Sequence, residues 1–388
     1  MAYIVQKFGG TSVATLDRIK HVAEIIAKSY QKDSVVAVVS AMAGVTNKFV
    51  GYVHNLNSYE GDPEYDSVIS SGEIVTAGLL SIALKNLGIS ARSYTAWQLP
   101  IHTDDHYGSA VIQHVDATKL EQDISNGIVP VVCGFQGTSS ENRVTTLGRG
   151  GSDLTAVAVS DALRADLCEI YSDVDGVYTV DPNLYPNAKR LKKISFEEML
   201  EMSMQGAKVL QAQSVDYARN KQVKIRVASS FVENEGTIIC AEQSSKKVCG
   251  LAVTYNLSSF KVQNKFSAEE ISDALSKNFI RGTMIKQNGK YFSILVDRNK
   301  KPAAYAILKK FDNGVRQEII RGHLSRVSVI GRELSHDYSE KLREHLLNHS
   351  VEIFYCYTDG YSINLVVSTS NLLKSIEVLH KFCDLENE

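Results

Sequence analysis

Three stretches in the first half of the chain are apolar at nearly every position and no longer than a strand: Ser34 to Ser40 (SVVAVVS), Ile128 to Cys133 (IVPVVC) and Leu167 to Tyr171 (LCEIY). A strand with one wet face alternates apolar and polar residues. A near-continuous run, rich in β-branched residues, suits a strand covered on both faces. Between these runs, and a shorter one at Val223 to Val227 (VKIRV), lie helical stretches at Leu16 to Tyr30, Ile69 to Leu87, Asp153 to Leu163 and Gly206 to Tyr217. The alternation predicts an α/β fold, an open and mostly parallel sheet sandwiched by helices. Ligands of such sheets gather beyond the carboxyl ends of the strands. The loops after positions 8, 40, 133 and 171 are therefore where chemistry is expected.

The texture changes near Ala241, where Glu242 to Lys247 (EQSSKK) reads as a polar linker. Beyond it a βαββα pattern occurs twice. The first has strands near Cys249 to Tyr255, Ile280 to Lys286 and Tyr291 to Val296, and the second near Arg326 to Ile330, Val351 to Tyr357 and Ser362 to Val367. At 388 residues two or three domains are expected, with boundaries at 1–243, 244–322 and 323–388. The net charge of −2 and 22% charged residues give no polyelectrolyte signal, which argues against nucleic acid or an anionic membrane as partner. No signal peptide or transmembrane helix is expected. Six scattered cysteines without a C-x-x-C pair read as core thiols of a reducing, cytoplasmic compartment. The histidines of His102-Thr103-Asp104-Asp105-His106 lack helical periodicity and a third ligand, and read as a solvated loop.

Chemistry concentrates in four loops. Lys7-Phe8-Gly9-Gly10-Thr11-Ser12 follows an apolar run, and its paired glycines let backbone N–H groups approach an anion beside a lysine. The lysine precedes the glycines, so this is not a P-loop. Thr146-Leu147-Gly148-Arg149-Gly150-Gly151-Ser152-Asp153 opens a helix, with Ser152 or Asp153 as expected N-cap, a helix-terminus anion site and an arginine fork. Asp153 beside an anion site makes sense if it orients a cation such as Lys7. The run from Tyr171 to Pro182 (YSDVDGVYTVDP) could hold a purine and ribose, with Tyr178 as platform and Asp173 or Asp175 on polar edges. It is not an EF-hand, because the twelfth position from Asp173 is Leu184. Ser40 and Thr46 offer hydroxyls at the end of a buried strand. Glu73, just inside a helix, either serves the helix dipole or holds the ammonium of an amino-acid substrate.

The ordered set KFGGTSV, SAM with a following threonine, SxGE, GFQGxS, TLGRGGSD, SDVDGVYTxDP and GAKVLQ resembles the aspartate kinases of the amino-acid kinase superfamily, over Tyr3 to Ile239. The terminal repeats resemble that family's pair of ACT modules, which are ferredoxin-like. The resemblance implies transfer of the γ-phosphoryl of ATP to the β-carboxylate of L-aspartate, the first step toward lysine or diaminopimelate, threonine and methionine. It implies that Lys7, Gly9 and Gly10 neutralise the migrating phosphoryl and that Asp153 positions Lys7. Ser40, Thr46, Glu73, Arg149, Gly150 and Ser152 match aspartate-binding positions. Phe8, Ser172, Asp173, Tyr178, Lys208 and Val209, together with the Lys7 loop, match positions around ATP. Mg²⁺ is expected on the phosphates, with no protein ligand assigned. A homodimer or homotetramer, and lysine or threonine as effector, are implied as well.

Two departures from the family pattern stand out. Asn183 follows Asp181-Pro182 where arginine is usual, which predicts a weaker KM for ATP. Neither ACT-like repeat carries the Pro-Gly turn expected between first strand and first helix; the stretches read Val262 to Ser267 (VQNKFS) and Gly331 to His336 (GRELSH). Feedback that is weak, altered or absent is the expectation.

Overall fold

The computed structural model describes residues 2–242, 246–263, 266–278, 280–287, 291–312, 315–317 and 323–387. It divides into two units: Met1–Val177, Arg190–Ser203 and Lys208–Ser244 form the first, and Tyr178–Lys189, Met204–Ala207 and Ser245–Glu388 the second.

In the first unit the apolar runs form one eight-stranded sheet. Its order is Lys193–Ser195, Thr237–Cys240, Ile225–Ser229, Leu167–Ser172, Tyr3–Phe8, Ser34–Val39, Val129–Cys133 and Ala91–Tyr94. Every neighbouring pair is parallel except Ile225–Ser229 with Thr237–Cys240. The central strands are buried on both faces, as their composition requires. Helices Leu16–Tyr30 and Ser71–Asn86 pack against the sheet through Ile19, Val22, Ile26, Leu80 and Leu84. Register fixes the site: Phe8 lies opposite both Val39 and Tyr171, and Val39 opposite Cys133. Gly9, Ser40, Gly134 and Ser172 therefore start their loops along one edge.

Some expectations need correction. The stretch Gly206 to Tyr217 is not one helix; the helix is Ala212–Lys221. Gly206 has φ of +116° and a Cβ there would sit 2.4 Å from the Val253 carbonyl oxygen, a close backbone approach that only glycine allows. A four-stranded sheet of Ile112–Val115, Ile101–Thr103, Gln136–Thr138 and Val144–Thr146 went unforeseen, because strands of three or four residues carry too little periodicity. The run Pro63–Asn86 is long and apolar enough to cross a membrane by length and composition, contrary to expectation, but half of it is buried inside the protein. It breaks into helices Pro63–Ile69 and Ser71–Asn86 and buries Asp66 and Glu73, as a core element does.

The second unit is built on one mainly antiparallel sheet in the order Gly282–Gln287, Tyr291–Asp297, Val248–Gln263, Leu324–Gly331, Ser362–Ser368, Ile353–Asp359, with Arg316–Gln317 beside Val248–Gln263. The strand near Cys249 to Tyr255 runs on to Gln263. Its first half pairs with Leu324–Gly331 and its second half with Tyr291–Asp297. The two ACT-like modules thus share a strand, and the earlier half of that strand completes the later module. Residues 264 and 265 of the first expected effector turn lie outside the described residues.

Leu80 is fully buried and Leu87 is half exposed. Leu80→Ala is expected to destabilise the first unit by about 2–5 kcal/mol, lowering the urea midpoint of unfolding, whereas Leu87→Ala leaves it nearly unchanged.

Candidate active site

Lys7 sits one residue before the end of the Tyr3–Phe8 strand and is 7% exposed. Its ammonium lies 2.5 Å from an Asp153 carboxylate oxygen. Asp153 is in the first turn of helix Gly151–Ala162, so the pair joins the strand end to that helix. The N-cap is Gly150, with φ of +71° and no side-chain cap, which corrects the expected capping by Ser152 or Asp153. Both side chains are used otherwise: the Ser152 hydroxyl meets the Ser40 hydroxyl at 2.7 Å, and Asp153 meets Lys7. The helix can begin this close to the sheet because residue 134 is glycine. A Cβ there would lie 2.7 Å from Ser152 Cβ and 2.9 Å from the Val39 oxygen.

The loop after Lys7 turns tightly, with the Ser12 and Val13 N–H groups donating to the Gly9 carbonyl. A Cβ on Gly10 would come within 3.0 Å of the Ala41 oxygen, so this glycine is needed for close passage. A brace unseen in the sequence holds the far end. Arg18 donates to the Ser230 carbonyl and hydroxyl at 2.7 and 2.9 Å, and the Ser230 hydroxyl donates to that of Ser12 at 2.7 Å.

Beside this edge lies a cavity of about 430 Å³. All six residues expected to bind aspartate line it: Ser40, Thr46, Glu73, Arg149, Gly150 and Ser152, and Gly10 borders it as well. Asn47, Tyr65 and Phe135 also line it and were not anticipated, since none stands in a chemically distinctive pattern. Glu73 lies in the first turn of helix Ser71–Asn86 and is 3% exposed. One of its oxygens accepts the Ala41 N–H at 3.0 Å, and the other is buried without a partner. Burial pushes its carboxyl up to about 7, against the pull of the Ala41 N–H and its own backbone N–H. Arg149 is exposed at the cavity and makes no hydrogen bond or ion pair among the described residues. An unpaired carboxylate and an unpaired guanidinium in one cavity suit a zwitterion.

The residues expected around ATP are more dispersed, and Phe8, Ser172, Asp173, Lys208 and Val209 do not line the cavity. Phe8 is fully buried and stacks on Tyr171 with ring centroids 5.0 Å apart, so only its backbone faces the edge. The Ser172 hydroxyl accepts from the Val174 N–H at 3.3 Å and shapes the next turn. Asp173 and Lys208 are exposed, Val209 is half-buried, and half-buried Tyr178 belongs to the second unit. The stretch from His102, expected as a solvated loop, begins in strand Ile101–Thr103, with Thr103 buried, and only Asp104 to His106 lie outside it; no metal cluster is found among the described residues, and His106 pairs with Asp104 at 2.9 Å. Burial pushes the Cys133 and Cys168 thiols up to about 12, which disfavours the thiolate form.

A lysine–aspartate pair at the edge of a parallel sheet, next to a cavity lined by both an acid and an arginine, suits a phosphotransferase of small molecules. The chain belongs to the amino acid kinase family, whose model matches residues 2–229, and within it to the aspartokinases. An aspartokinase of Pseudomonas aeruginosa is 40% identical across 100% of this chain and 98% of its own length. One from Rickettsia felis is 38% identical across 97% and 98%. Among solved structures, aspartokinase III of E. coli superposes with a TM-score of 0.80 at 23% identity, over 98% of this chain and 99% of its own. It has been solved with aspartate and ADP, and also with lysine and aspartate.

The Glu73 shift has a definite sign. A carboxyl whose folded pKa is raised costs stability as pH climbs from its ordinary 4.5 to about 7, a penalty of about 3 kcal/mol that then stays constant. Glu73→Gln is expected to raise the melting temperature of the substrate-free protein at pH 8 but not at pH 4.5. Because an ammonium needs the ionised form, kcat/KM for the amino-acid substrate should fall about tenfold per pH unit below pH 7. A flat profile between pH 8 and 5.5 would contradict this assignment.

Proposed function

We propose that this chain transfers the γ-phosphoryl of MgATP to the β-carboxylate of L-aspartate, giving 4-phospho-L-aspartate and ADP, as the opening step toward lysine, threonine and methionine. The observation that carries the reading is the cavity itself, where a buried, half-satisfied Glu73 and an Arg149 without a partner among the described residues share one wall system with Ser40, Thr46 and Ser152. Glu73 takes the α-ammonium, whose charge offsets the cost of ionising a buried carboxyl. Arg149 takes a carboxylate in its planar fork. The paired hydroxyls of Ser40 and Ser152 supply polar contacts at the cavity edge nearest Lys7.

A carboxylate oxygen of aspartate attacks the γ-phosphorus, and the bond from that phosphorus to the β,γ-bridging oxygen breaks, its electron pair leaving with ADP. No side chain need move a proton, so positioning and charge stabilisation supply the rate. Lys7, held by Asp153, places its ammonium where charge spreads over the transferring oxygens. The N-terminus of helix Gly151–Ala162 adds the positive end of its dipole. A Mg²⁺ ion accompanying the nucleotide would supply charge screening of its phosphates; no residue of this chain is assigned to it. Ser172, Asp173, Lys208 and Val209, all of the first unit, are the proposed nucleotide contacts.

The second unit is proposed to respond to an amino acid, as E. coli aspartokinase III is solved with lysine. The missing Pro-Gly turns predict a muted response, and strong inhibition by millimolar lysine or threonine would refute that. Asn183, which folds its N–H and side-chain amide onto Asp181, leaves a position where Asn183→Arg is expected to lower KM for ATP. The primary test is ATP-dependent acyl-phosphate formation, trapped with hydroxylamine, across aspartate, glutamate and other amino acids. Aspartate should be the preferred acceptor, and Lys7→Ala should lower kcat by roughly 10³-fold. Unchanged activity in Lys7→Ala would sink the mechanism.

A further inference from the structure

Asp66 drew no attention in the sequence, yet it is wholly buried. It projects from helix Pro63–Ile69 and accepts three hydrogen bonds from two separate loops. The Gly108 N–H donates to it at 2.9 Å, the Thr146 N–H at 2.7 Å and the Thr146 hydroxyl at 2.9 Å. Among the described residues no cation pairs with it; burial pushes its carboxyl above the usual range and the three donors offset this only in part. An unpaired buried carboxylate is expensive, so what it holds in place deserves to be traced.

Thr146 ends the strand Val144–Thr146, and Leu147, Gly148 and Arg149 follow directly. The Ala110 N–H donates to the Thr146 carbonyl at 2.9 Å, tying the second loop to the same residue. Gly148, at φ of +72°, lies beside the Gly108 carbonyl, where a Cβ would make an ordinary van der Waals contact at 3.4 Å. Gly108 and Gly148 both line the cavity, as do Tyr65 and Ile69 from the helix that carries Asp66. One carboxylate therefore knits three segments of the cavity wall, and the loop bearing Arg149 starts from its grip. Arg149 has no hydrogen-bond partner of its own among the described residues, so its position depends on its backbone.

We propose that Asp66 is a positioning residue for the phosphoryl acceptor: by fixing the Thr146 and Gly108 N–H groups it sets the backbone from which Arg149 engages the aspartate carboxylate. This rests on the reading of the cavity given above. Asp66 touches neither substrate, and its influence is confined to the acceptor side. Nothing it holds belongs to the Ser172, Lys208 or Lys7 loops.

The experiment compares Asp66→Ala, Asp66→Asn, Thr146→Val and Arg149→Ala in the full chain, measuring KM for aspartate and for ATP separately. Asparagine can keep the arrangement, its amide oxygen accepting both backbone N–H groups and its amide nitrogen donating to the Thr146 hydroxyl. Asp66→Ala is expected to raise KM for aspartate at least about tenfold with KM for ATP within about twofold, and Asp66→Asn to return it to within about threefold of the parent. Equal changes in both KM values, or a lower melting temperature with neither changed, would reduce Asp66 to a packing residue and overturn the proposal. If Asp66→Ala does not fold, Thr146→Val carries the test: it removes one donor, and an unchanged KM for aspartate would overturn the proposal. Arg149→Ala separates the two levels. An unchanged KM for aspartate in that variant refutes the cavity reading itself. A raised value there, with Asp66→Ala like the parent, refutes only the positioning role.

Discussion

The site depends on a buried ion pair between a strand and a helix that are 146 residues apart in sequence, Lys7 with Asp153 at 2.5 Å. Removing both charges from water costs several kcal/mol per ion, and their attraction offsets that only with good geometry. An apolar pair could hold strand to helix as well. The charged pair offers something different, an ammonium kept in one place next to two glycines and the start of a helix. Glycine at position 134 lets that helix approach, and glycine at position 10 lets the phosphate loop pass the Ala41 carbonyl. The steric allowances at these positions serve an electrostatic end.

Glu73 applies the same logic with the opposite sign. Lys7 has its counter-ion built in, whereas Glu73 has one N–H and an empty second oxygen. A group that is costly to ionise in the empty protein gains most when a cation arrives. Under the proposed function, the penalty of about 3 kcal/mol becomes preference for an acceptor with an ammonium. A neutral acid of the same length would leave the carboxyl either protonated or unpaired. On that reading polar pairing inside the cavity does the discriminating.

Strands buried on both faces were legible in the sequence because such burial demands apolar residues at every position, and Ser34–Val39, Val129–Cys133 and Leu167–Ser172 formed close to where expected. Helix Leu16–Tyr30 was equally plain from its apolar period. The six residues matched to aspartate-binding positions were picked out by family motifs, and all six line one cavity. What escaped lacks local periodicity. The three-residue strands, the Asp66 contacts and the Arg18–Ser230–Ser12 brace are long-range pairings between residues that look ordinary in isolation. The helix expected from Gly206 failed for a related reason, since the backbone approach to Val253 that requires glycine there is not written in its neighbours.

The nucleotide motif shows the limit of reading a contiguous string as a contiguous object. YSDVDGVYTVDP looks like a single loop, yet the chain passes from the first unit to the second between Val177 and Tyr178. Val180 and Tyr185 then join a core with Val248, Leu251, Val327 and Leu379. Thr179 accepts the Lys189 N–H at 3.0 Å and meets the buried His380 ring at 2.8 Å, while Tyr185 donates to Glu386 at 2.7 Å. Tyr178 is thus the first residue of a segment whose folding belongs to the second unit's core, whereas Ser172 and Asp173 end a strand of the first. Apolar burial anchors a segment more strongly than its few polar contacts with solvent-exposed neighbours do. The motif is contiguous in sequence, but its two halves fold with different cores.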